Sequence, residues 1–469
     1  MKRIILLPGL TVLIALAAIM TLTGLLAEMA LAAEKIDATR NETVDDDHPY
    51  EPVTHLKGPE GVTFAGGWRL SGDIRTGWVE YDYQNSPNRP DPDTNKGHLD
   101  SHGYYLIPKI SLTSPEFKGL QAKITGAAVT DFGINDEKFE SRTFAFGDDR
   151  RSYAILQEAY LSYTAGAHQF VAGAKEISTP MVDADDWYLL ANSFQAAYYV
   201  NRSLENILMA VGYFYKMAGP WDSGSDGDNF RSMSDASFVD ERDKDNADDS
   251  GIIAAAFQYS DETHNLQIWE YYAQDLYNTL FLQYDYTGTL GGLKYDAGVQ
   301  FINFYEVGEL KDHDYTEIDY SIVSFRLDGK CPCGFDFSTG ASFYTDGPGT
   351  AETLGAWGGY PYFANGMIFH FFEAGSMRNA DSYKVQLGYD LAGLGVEGLW
   401  IGGRFTYFDL DPGYSRTADG RPQDDMSMVG IRLSYKHPSG LYFTGTFETV
   451  DLDNEPNTKA LRLIGGIKF

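Results

Sequence analysis

The chain ends on the stretch LRLIGGIKF, residues 461–469. Successive strand side chains point to opposite faces, so the odd-numbered positions of this stretch share one face, which is entirely apolar or Gly. The other face carries Arg462, Gly466 and Lys468. A face suited to hydrocarbon opposite a face suited to water is typical of a transmembrane β-strand. A strand of a soluble β-sandwich could show the same alternation, but such a strand seldom has to end the chain.

The final residue, Phe469, is expected to act as the membrane-insertion signal. A terminal strand that ends in Phe resembles the C-terminal signal by which outer-membrane barrels are recognised and inserted. The resemblance implies that the barrel-assembly machinery binds this strand. It also implies a location in the bacterial outer membrane, in contact with outer-membrane lipid and lipopolysaccharide.

The start of the chain agrees with export. Residues 1–32 are predicted to be a signal peptide, because Lys2 and Arg3 precede a long apolar stretch and residues 30–32 (ALA) fit a cleavage site. The alternative is a retained helical anchor, for which the apolar stretch is long enough. No other run approaches the ~18 consecutive apolar residues that a spanning helix needs. A mature membrane protein would then be a β-barrel, the other structure that satisfies backbone groups in lipid.

The composition favours strands and tight turns. The 469 residues include 32 Tyr, 28 Phe and 49 Gly but only 2 Cys, and aromatic residues and Gly suit strands, membrane-interface girdles and turns. The two cysteines form Cys331-Pro332-Cys333, which can build neither a disulfide framework nor a Cys-x-x-Cys metal knuckle. A local disulfide is the simpler interpretation, and a metal or redox role stays open.

The net charge of −31 is concentrated outside the predicted strands. Residues 219–250 hold ten acidic against three basic residues, and residues 34–63 hold eight against three. Both segments are polar and aperiodic, so they are interpreted as a loop and as part of an acidic periplasmic N-terminal arm, residues 33–63. The net charge therefore says little about the lining of a pore.

The sequence has no motif that would indicate an enzyme or a cofactor. It contains no phosphate-binding loop, no Gly-x-Ser-x-Gly and no His-Glu-x-x-His. We therefore expect no catalytic residues, no cofactor, no bound metal and no nucleic-acid partner. An outer-membrane hydrolase would need a nucleophile beside a His, and most of the nine His lie in predicted loops or turns.

Alternating segments predict an all-β fold, an 18-stranded antiparallel transmembrane β-barrel over residues 64–469. The segments lie at 64–83, 103–114, 119–132, 152–164, 167–176, 193–201, 206–218, 250–260, 264–275, 277–287, 292–306, 316–328, 333–346, 380–391, 397–410, 425–437, 440–451 and 458–469. Connectors after even-numbered segments are short, and most of those after odd-numbered segments are long. Short periplasmic turns alternating with long outer loops are what a bacterial barrel requires, and eighteen strands are enough to enclose an aqueous lumen.

Several stretches resemble the OprD-type outer-membrane porins. Residues 175–180 followed by 189–196 resemble that family's passage from a strand into its third loop, although two positions differ from the family's usual residues. Residues 381–399 and 403–407 form the longest similar stretch, and residues 271–277 resemble the family's short fifth connection. The resemblance implies a monomeric eighteen-stranded channel that favours small carboxylate-bearing solutes. The residues themselves leave open whether the protein is a monomer or a trimer.

Strand parity predicts a basic wall on one side of the lumen. In each strand the apolar parity meets lipid and the other parity meets water, and an Arg on the lipid face would cost about 2–4 kcal/mol at mid-membrane. The predicted wall residues, on the last five strands and the first, are Arg69, Arg75, Lys384, Arg404, Arg432 and Arg462. Basic pore linings select for anions. The alternative is that scattered lumen charges merely solvate a general pore.

The loop after the fifth strand, residues 176–192, is predicted to fold inward and form a constriction. The candidate constriction residues are Lys175, Asp183, Asp185, Asp186, Trp187 and Tyr188. Folded inward, the acids would face the basic wall and create a transverse field that orients zwitterions; an ordinary solvated acidic loop is the alternative. The loop 347–379 is too apolar to extend into water, so we expect it to pack into the barrel mouth.

Together these patterns predict an outer-membrane porin. It would give passive, moderately selective diffusion of small solutes, in particular anions or carboxylates, along the basic lumen wall. The alternatives are a non-selective general porin and a structural or adhesive outer-membrane barrel. The identity of the solute depends on the shape of the constriction, which the sequence leaves open.

Overall fold

The structure is a computed structural model of the chain. It describes residues 61–64, 66–82, 101–135, 151–186, 189–219, 227, 229–237, 251–312, 318–345, 354–369, 380–413, 422–453 and 457–469. The predicted signal peptide (residues 1–32), nearly all of the predicted arm (residues 33–63), and the predicted constriction residues Trp187 and Tyr188 lie outside the described residues. Those predictions stay predictions.

Within the described part of the chain there are eighteen long strands. They are β1 (Arg69–Asp82), β2 (Ser101–Thr113), β3 (Leu120–Val129), β4 (Tyr153–Ala165), β5 (His168–Lys175), β6 (Ser193–Asn201), β7 (Ile207–Ala218), β8 (Ile252–Ser260), β9 (His264–Ala273), β10 (Tyr277–Leu290), β11 (Leu293–Glu306), β12 (Asp319–Lys330), β13 (Phe335–Tyr344), β14 (Asp381–Asp390), β15 (Leu399–Asp409), β16 (Asp425–Lys436), β17 (Leu441–Leu452) and β18 (Thr458–Lys468). Each strand overlaps one predicted segment, so the predicted fold is confirmed. Two-residue strands, Val62–Thr63 and Arg231–Ser232, pair with β1 and β7.

The sheet closes because β18 pairs with β1. This antiparallel ladder runs from Lys459 opposite Asp82 to Lys468 opposite Asp73. Beyond it, Phe469 exchanges two backbone hydrogen bonds with Gly72, with N···O distances of 2.8 and 2.9 Å. Each of the eighteen described strands thus has a partner on both sides. Closure removes the unpaired edge that an open sheet would expose to lipid.

The connections alternate in length as the sequence predicts. Even-numbered strands lead into short turns, and two of these have only two residues: 166–167 and Gly291-Gly292. Both residues of Gly291-Gly292 have positive φ and suit a two-residue hairpin. Most odd-numbered strands lead into longer segments, and the exceptions are the three-residue link 274–276 between β9 and β10 and the five-residue link 453–457 between β17 and β18. The described helices are two 3₁₀ turns, Gly308–Asp312 and Leu391–Leu394. No helix in the described ranges is long and apolar enough to cross a membrane.

Strand parity separates the two faces of the barrel. On β14 to β16 the large apolar side chains Val385, Phe405 and Ile431 are about half exposed, as expected for a lipid-facing surface. The side chains of opposite parity are enclosed, and Arg404 and Arg432 are only 8 % and 7 % exposed. The predicted inward direction of these two cations is therefore confirmed.

Two connecting segments occupy the barrel interior. We call residues 176–192 the inward loop and residues 354–369 the strap. Leu189 and Leu190 of the inward loop are buried, as are Trp357, Phe363 and Phe369 of the strap. The expectation that the apolar loop 347–379 packs into the barrel is confirmed for its described part, and the remainder of that loop lies outside the described residues.

We predict that deletion of Phe469 lowers the amount of assembled barrel in the outer membrane. The deletion removes both hydrogen bonds to Gly72 and the aromatic ring that lies against this glycine, at the place where the barrel closes. Quantitative blotting of the heat-modifiable form measures the loss, and F469W, which keeps a terminal aromatic side chain, is the control. Molecules that do insert should keep the single-channel conductance of the wild type. Normal levels of the truncated protein would contradict the role assigned to the terminal strand.

Candidate functional site

The inward loop has a defined conformation that its own backbone stabilises. The backbone amide and the hydroxyl of Thr179 both donate to the Val182 carbonyl, and the Thr179 hydroxyl accepts from the Val182 amide. These hydrogen bonds close a turn at the start of the loop. Near its end, the Leu189 amide donates to the Asp186 carbonyl over 2.8 Å. These turns direct the acidic part of the loop toward β1, so the predicted inward folding is observed for the described residues of the loop.

Asp186 contacts the barrel wall directly at Arg75. The Arg75 Nη1 donates to Asp186 Oδ2 over 2.5 Å and to the Leu189 carbonyl over 3.1 Å. The same guanidinium donates through Nε to the Tyr442 hydroxyl (3.0 Å) and through Nη2 to Asp73 (3.3 Å). Tyr442 in turn donates to Asp73 over 2.9 Å. Arg75 is thus held in one orientation by β1, β17 and the inward loop, with a carboxylate already bound to it.

Further cations surround this contact. Lys109 of β2 and Lys468 of β18 both lie opposite Asp73 in the strand register, on its two sides. The Lys109 Nζ forms an ion pair with Glu176, the first residue of the inward loop, over 2.8 Å. The basic wall predicted from the sequence includes neither Lys109 nor Lys468. The closure of β1 onto β18 is what brings them beside Arg75.

A narrow cleft lies between the inward loop and this wall. It is lined by Asp73, Arg75, Ile107, Lys109, Asp186, Leu189, Leu190 and Ala191. Its polar residues carry both signs of charge, and its apolar lining comes mainly from the inward loop. We call this space the basic cleft, because Lys468 and Arg462 add their fields to those of its two lining cations.

The strap crosses the lumen from one side of the barrel to the other. It is joined to the inward loop by a bridge between Val182 and Gly358 and by the Asp183 amide, which donates to the Trp357 carbonyl over 2.9 Å. On the side of β10 the Trp357 ring stacks on Tyr277 with 5.1 Å between the ring centroids. The two lumen segments therefore form one packed body.

Further along, the strap passes over an ion cluster on β10 to β12. Arg326 pairs with Asp285 (3.0 Å), Asp296 (2.5 Å) and Asp328 (2.9 Å). The ring of Phe363 covers its guanidinium, with 4.9 Å from Cζ to the ring centroid. None of these four charged residues is among the site residues predicted from the sequence. Three carboxylates around one guanidinium make this side of the lumen locally acidic.

The end of the strap is bound by the predicted basic wall. Arg404 Nη1 donates to the Asn365 carbonyl (3.2 Å) and the Gly366 carbonyl (2.6 Å), and Arg432 Nη2 donates to the Met367 carbonyl (3.1 Å). Arg404 faces Gly430 and Arg432 faces Gly402 in the register, so the two cations lie at similar height in the barrel. Their donors, however, bind strap backbone.

Carboxylates lie among the cations of the predicted basic wall. Glu448 of β17 faces Gly430 on one side and Ala460 on the other, so it lies in the same row as Arg404. Asp73 lies two residues from Arg75 on β1 and bonds to it. Strand parity finds the direction of each side chain but not the order of charges across neighbouring strands.

The remaining predicted site residues lie at different depths. Lys384 is buried opposite Thr406, and Arg462 is buried opposite Thr446. Arg69 is exposed at the start of β1. Lys175 lies over the Tyr160 ring, with 5.6 Å from Nζ to the centroid.

Asp183 and Asp185 of the inward loop contribute their backbone to its packing. The Asp183 carbonyl accepts a hydrogen bond from the side-chain amide of Asn192, and the Asp185 carbonyl accepts one from the backbone amide of Asn192. Cys331 and Cys333 form a disulfide within the turn after β12, which agrees with the simpler interpretation of the pair. The described residues contain no group of three or more potential metal ligands.

The barrel is closed, its charged side chains point into the lumen, and two inward segments narrow that lumen. This architecture is that of a membrane channel. A sequence profile described as "outer membrane porin, OprD family" matches residues 152–437. Because the match spans more than half of the chain, the protein belongs to the OprD family. It is a porin of the bacterial outer membrane for the diffusion of small solutes, and it is not an enzyme.

Solved structures share this architecture. Pseudomonas aeruginosa OccK9 (OpdG) has 13 % sequence identity and a TM-score of 0.67, with 87 % of this chain and 99 % of that chain covered. Pseudomonas aeruginosa OpdK, solved with vanillate, has 15 % identity and a TM-score of 0.64, with 85 % and 98 % covered. Acinetobacter baumannii OccAB3 has 14 % identity and a TM-score of 0.67, with 86 % and 99 % covered. No curated protein sequence matches the chain.

We predict that the contact between Asp186 and Arg75 persists to strongly acidic pH. Burial disfavours the Asp186 carboxylate, but the charge of Arg75, with weaker contributions from Arg462 and Lys468, outweighs burial and holds the Asp186 pKa below its usual value of 3.8. A depressed pKa means that the stabilisation is present above the ordinary value and is lost as the pH falls through the lowered one. Single-channel conductance should therefore show no Asp186-dependent step between about pH 7 and about pH 4. A step within that range that D186N abolishes would contradict this assignment.

Proposed function

We propose that the channel favours small anions, and carboxylates in particular, and that they pass through the basic cleft. The observation that carries this proposal is the contact of Arg75 with Asp186. It shows a guanidinium inside the lumen whose geometry already accommodates a carboxylate, next to a cleft between the inward loop and the wall. A carboxylate solute could exchange with Asp186 at this position, since both present the same acceptor oxygens.

The strand register concentrates positive charge at the cleft. Lys468, Asp73 and Lys109 form one row across β18, β1 and β2. Arg75 lies next to this row, and its hydrogen bonds to four neighbouring residues fix its orientation. Cations that converge within a narrow part of the lumen are screened much less by salt than cations on an open surface. The basic cleft is therefore the part of the lumen where charge has the greatest influence on permeation.

The other wall cations have a different part in this proposal. Arg404 and Arg432 use donors on strap carbonyls, and Lys384 is buried nearby. We assign to these three residues a contribution to the lumen field rather than direct contact with the solute. Arg462 influences Asp186 electrostatically, and we assign it to the outer side of the solute path through the cleft. We assign Arg69, at the start of β1, to the periplasmic end of this path.

The inward loop supplies the opposing side of the constriction. Asp183, Asp185 and Asp186, with Lys175 at its start and the undescribed Trp187 and Tyr188, remain our candidates for its selectivity residues. The acids would compete with anionic solutes for the cations and so keep binding weak enough for release, a condition for conduction. The basic cleft and the acidic cluster at Arg326 lie on different sides of the barrel, which would orient a zwitterion during passage.

Two further observations bear on the choice of solute and partners. OpdK, which shares the fold, was solved with vanillate, a carboxylate. The alternative function is a non-selective general porin, which is favoured by the acids that lie among the cations, Asp73 and Glu448 above all. We also propose that lipopolysaccharide contacts the outer loops and that the barrel-assembly machinery binds β18. Whether the protein is a monomer or a trimer is left open.

We predict that R75Q and R462Q together lower the anion-to-cation permeability ratio at least about threefold. One charge about 8 Å from the solute contributes about 2 kcal/mol at an effective dielectric constant near 20, before salt screening. The measurement is the reversal potential of single channels in a salt gradient. The matched control is the pair K294Q and K330Q, which removes two positive charges at the periplasmic ends of β11 and β12, on the far side of the barrel.

The control pair should change the permeability ratio much less. Uptake of benzoate into liposomes should fall in parallel with the ratio for the first pair only. Equal effects from the two pairs would mean that the lumen is diffusely charged and that the protein is a general porin.

A further inference from the structure

We propose that Glu448 is a positioning residue that, together with Arg404, holds the strap in the lumen and thereby limits the width of the channel. We call these two residues the strap clamp. They bind one continuous stretch of strap backbone, residues 365–369. Glu448 accepts hydrogen bonds from its amides, and Arg404 donates hydrogen bonds to its carbonyls. This assignment concerns the size of the channel, so it does not depend on which solute the channel favours.

Glu448 accepts three consecutive amides of the strap. Oε1 accepts from Met367 N over 2.6 Å, and Oε2 accepts from Ile368 N over 2.5 Å and from Phe369 N over 2.9 Å. The Glu448 side chain is fully buried, and Ile368 and Phe369 are fully buried as well. A carboxylate that accepts three amides forms charge-assisted bonds, which are shorter and stronger than bonds between neutral groups.

Arg404 satisfies the carbonyls that directly precede these amides. Its Nη1 donates to the Asn365 carbonyl, the Asn365 side chain and the Gly366 carbonyl. The hydroxyl of Thr406, which follows on the same face of β15, donates to the Asn365 carbonyl over 2.9 Å. The strap thus has an anion where its amides converge and a cation where its carbonyls converge. Without these partners the buried backbone groups would be left unsatisfied, at substantial cost.

Two glycines permit this close approach. A Cβ on Gly366 would lie 2.6 Å from Met428 Sδ and 3.1 Å from Glu448 Oε2. A Cβ on Gly430, which lies between the two clamp residues in the register, would be 2.8 Å from Met367 Sδ and 3.0 Å from Glu448 Oε1. A side chain at either glycine would therefore displace a methionine sulfur and press against the Glu448 carboxylate that binds the strap.

The clamp makes a prediction that lumen charge alone does not make. If Glu448 and Arg404 acted only through charge, E448Q and R404Q would change anion conductance in opposite directions, because they remove charges of opposite sign. If both hold the strap, each substitution loosens it and conductance rises in both. An extended chain occupies ~5 Å of width beside a wall, so release of the strap should raise the conductance at least about twofold.

The experiment compares full-length E448Q, R404Q, E448D and the control D336N as single channels in planar bilayers. Asp336 is also an inward acid, but it accepts from Trp400 at the periplasmic end of β13, away from the strap. Heat-modifiability first establishes that each variant forms a barrel. Chymotrypsin cleavage then reports release of the strap, which contains Trp357, Tyr360, Tyr362, Phe363 and Phe369.

We expect E448Q and R404Q to raise both the conductance and the rate of cleavage in the strap. E448D, which keeps the charge, should restore part of the wild-type behaviour, and D336N should change little. Opposite changes in conductance, or unchanged conductance with a protected strap, would overturn the proposal. Should E448Q not form a heat-modifiable barrel, R404K decides the same question, because Lys keeps the charge but lacks the planar fork of donors.

Discussion

The hydrogen-bonded pairing of β18 with β1 is the constraint on which the rest of the structure depends. In a bilayer an open sheet edge leaves amides and carbonyls without partners, so a sheet that spans the membrane has to close on itself. Here the closure continues to the last residue, where Phe469 bonds with Gly72. Once the sheet is closed, each strand has one lipid-facing and one lumen-facing parity, and every charged strand residue at membrane depth belongs in the lumen.

Closure with eighteen strands also creates a problem, because the enclosed space is wide. The chain narrows it with the inward loop and the strap, which join each other at Val182 and Gly358. Extended segments away from the barrel sheet carry backbone groups that need partners. Lumen charges provide them: Glu448 accepts strap amides, and Arg404 donates to strap carbonyls. Charges that look from the sequence like a solute pathway are thus partly used to build the constriction itself.

The sequence predicts the barrel and the faces of its strands well, because both depend on local periodicity. The alternation around Arg404 and Arg432 gives their direction correctly. It says nothing of their partners, because a backbone carbonyl is present at every residue and leaves no signature. The predicted wall also omits Lys109, because only the register of β1 with β2 shows that this residue lies beside Asp73 and Arg75. Strand parity alone directs the Glu448 side chain into the lumen, but it does not show that this carboxylate binds the strap.

The most direct test of this account is the reversal potential of the purified wild-type channel in a gradient of potassium chloride. The basic cleft, with Arg75, Lys109, Lys468 and Arg462 around the contact between the inward loop and β1, predicts an open channel whose reversal potential has the sign of chloride preference. A reversal potential of the opposite sign would contradict the account, since the acidic residues of the lumen would then control permeation.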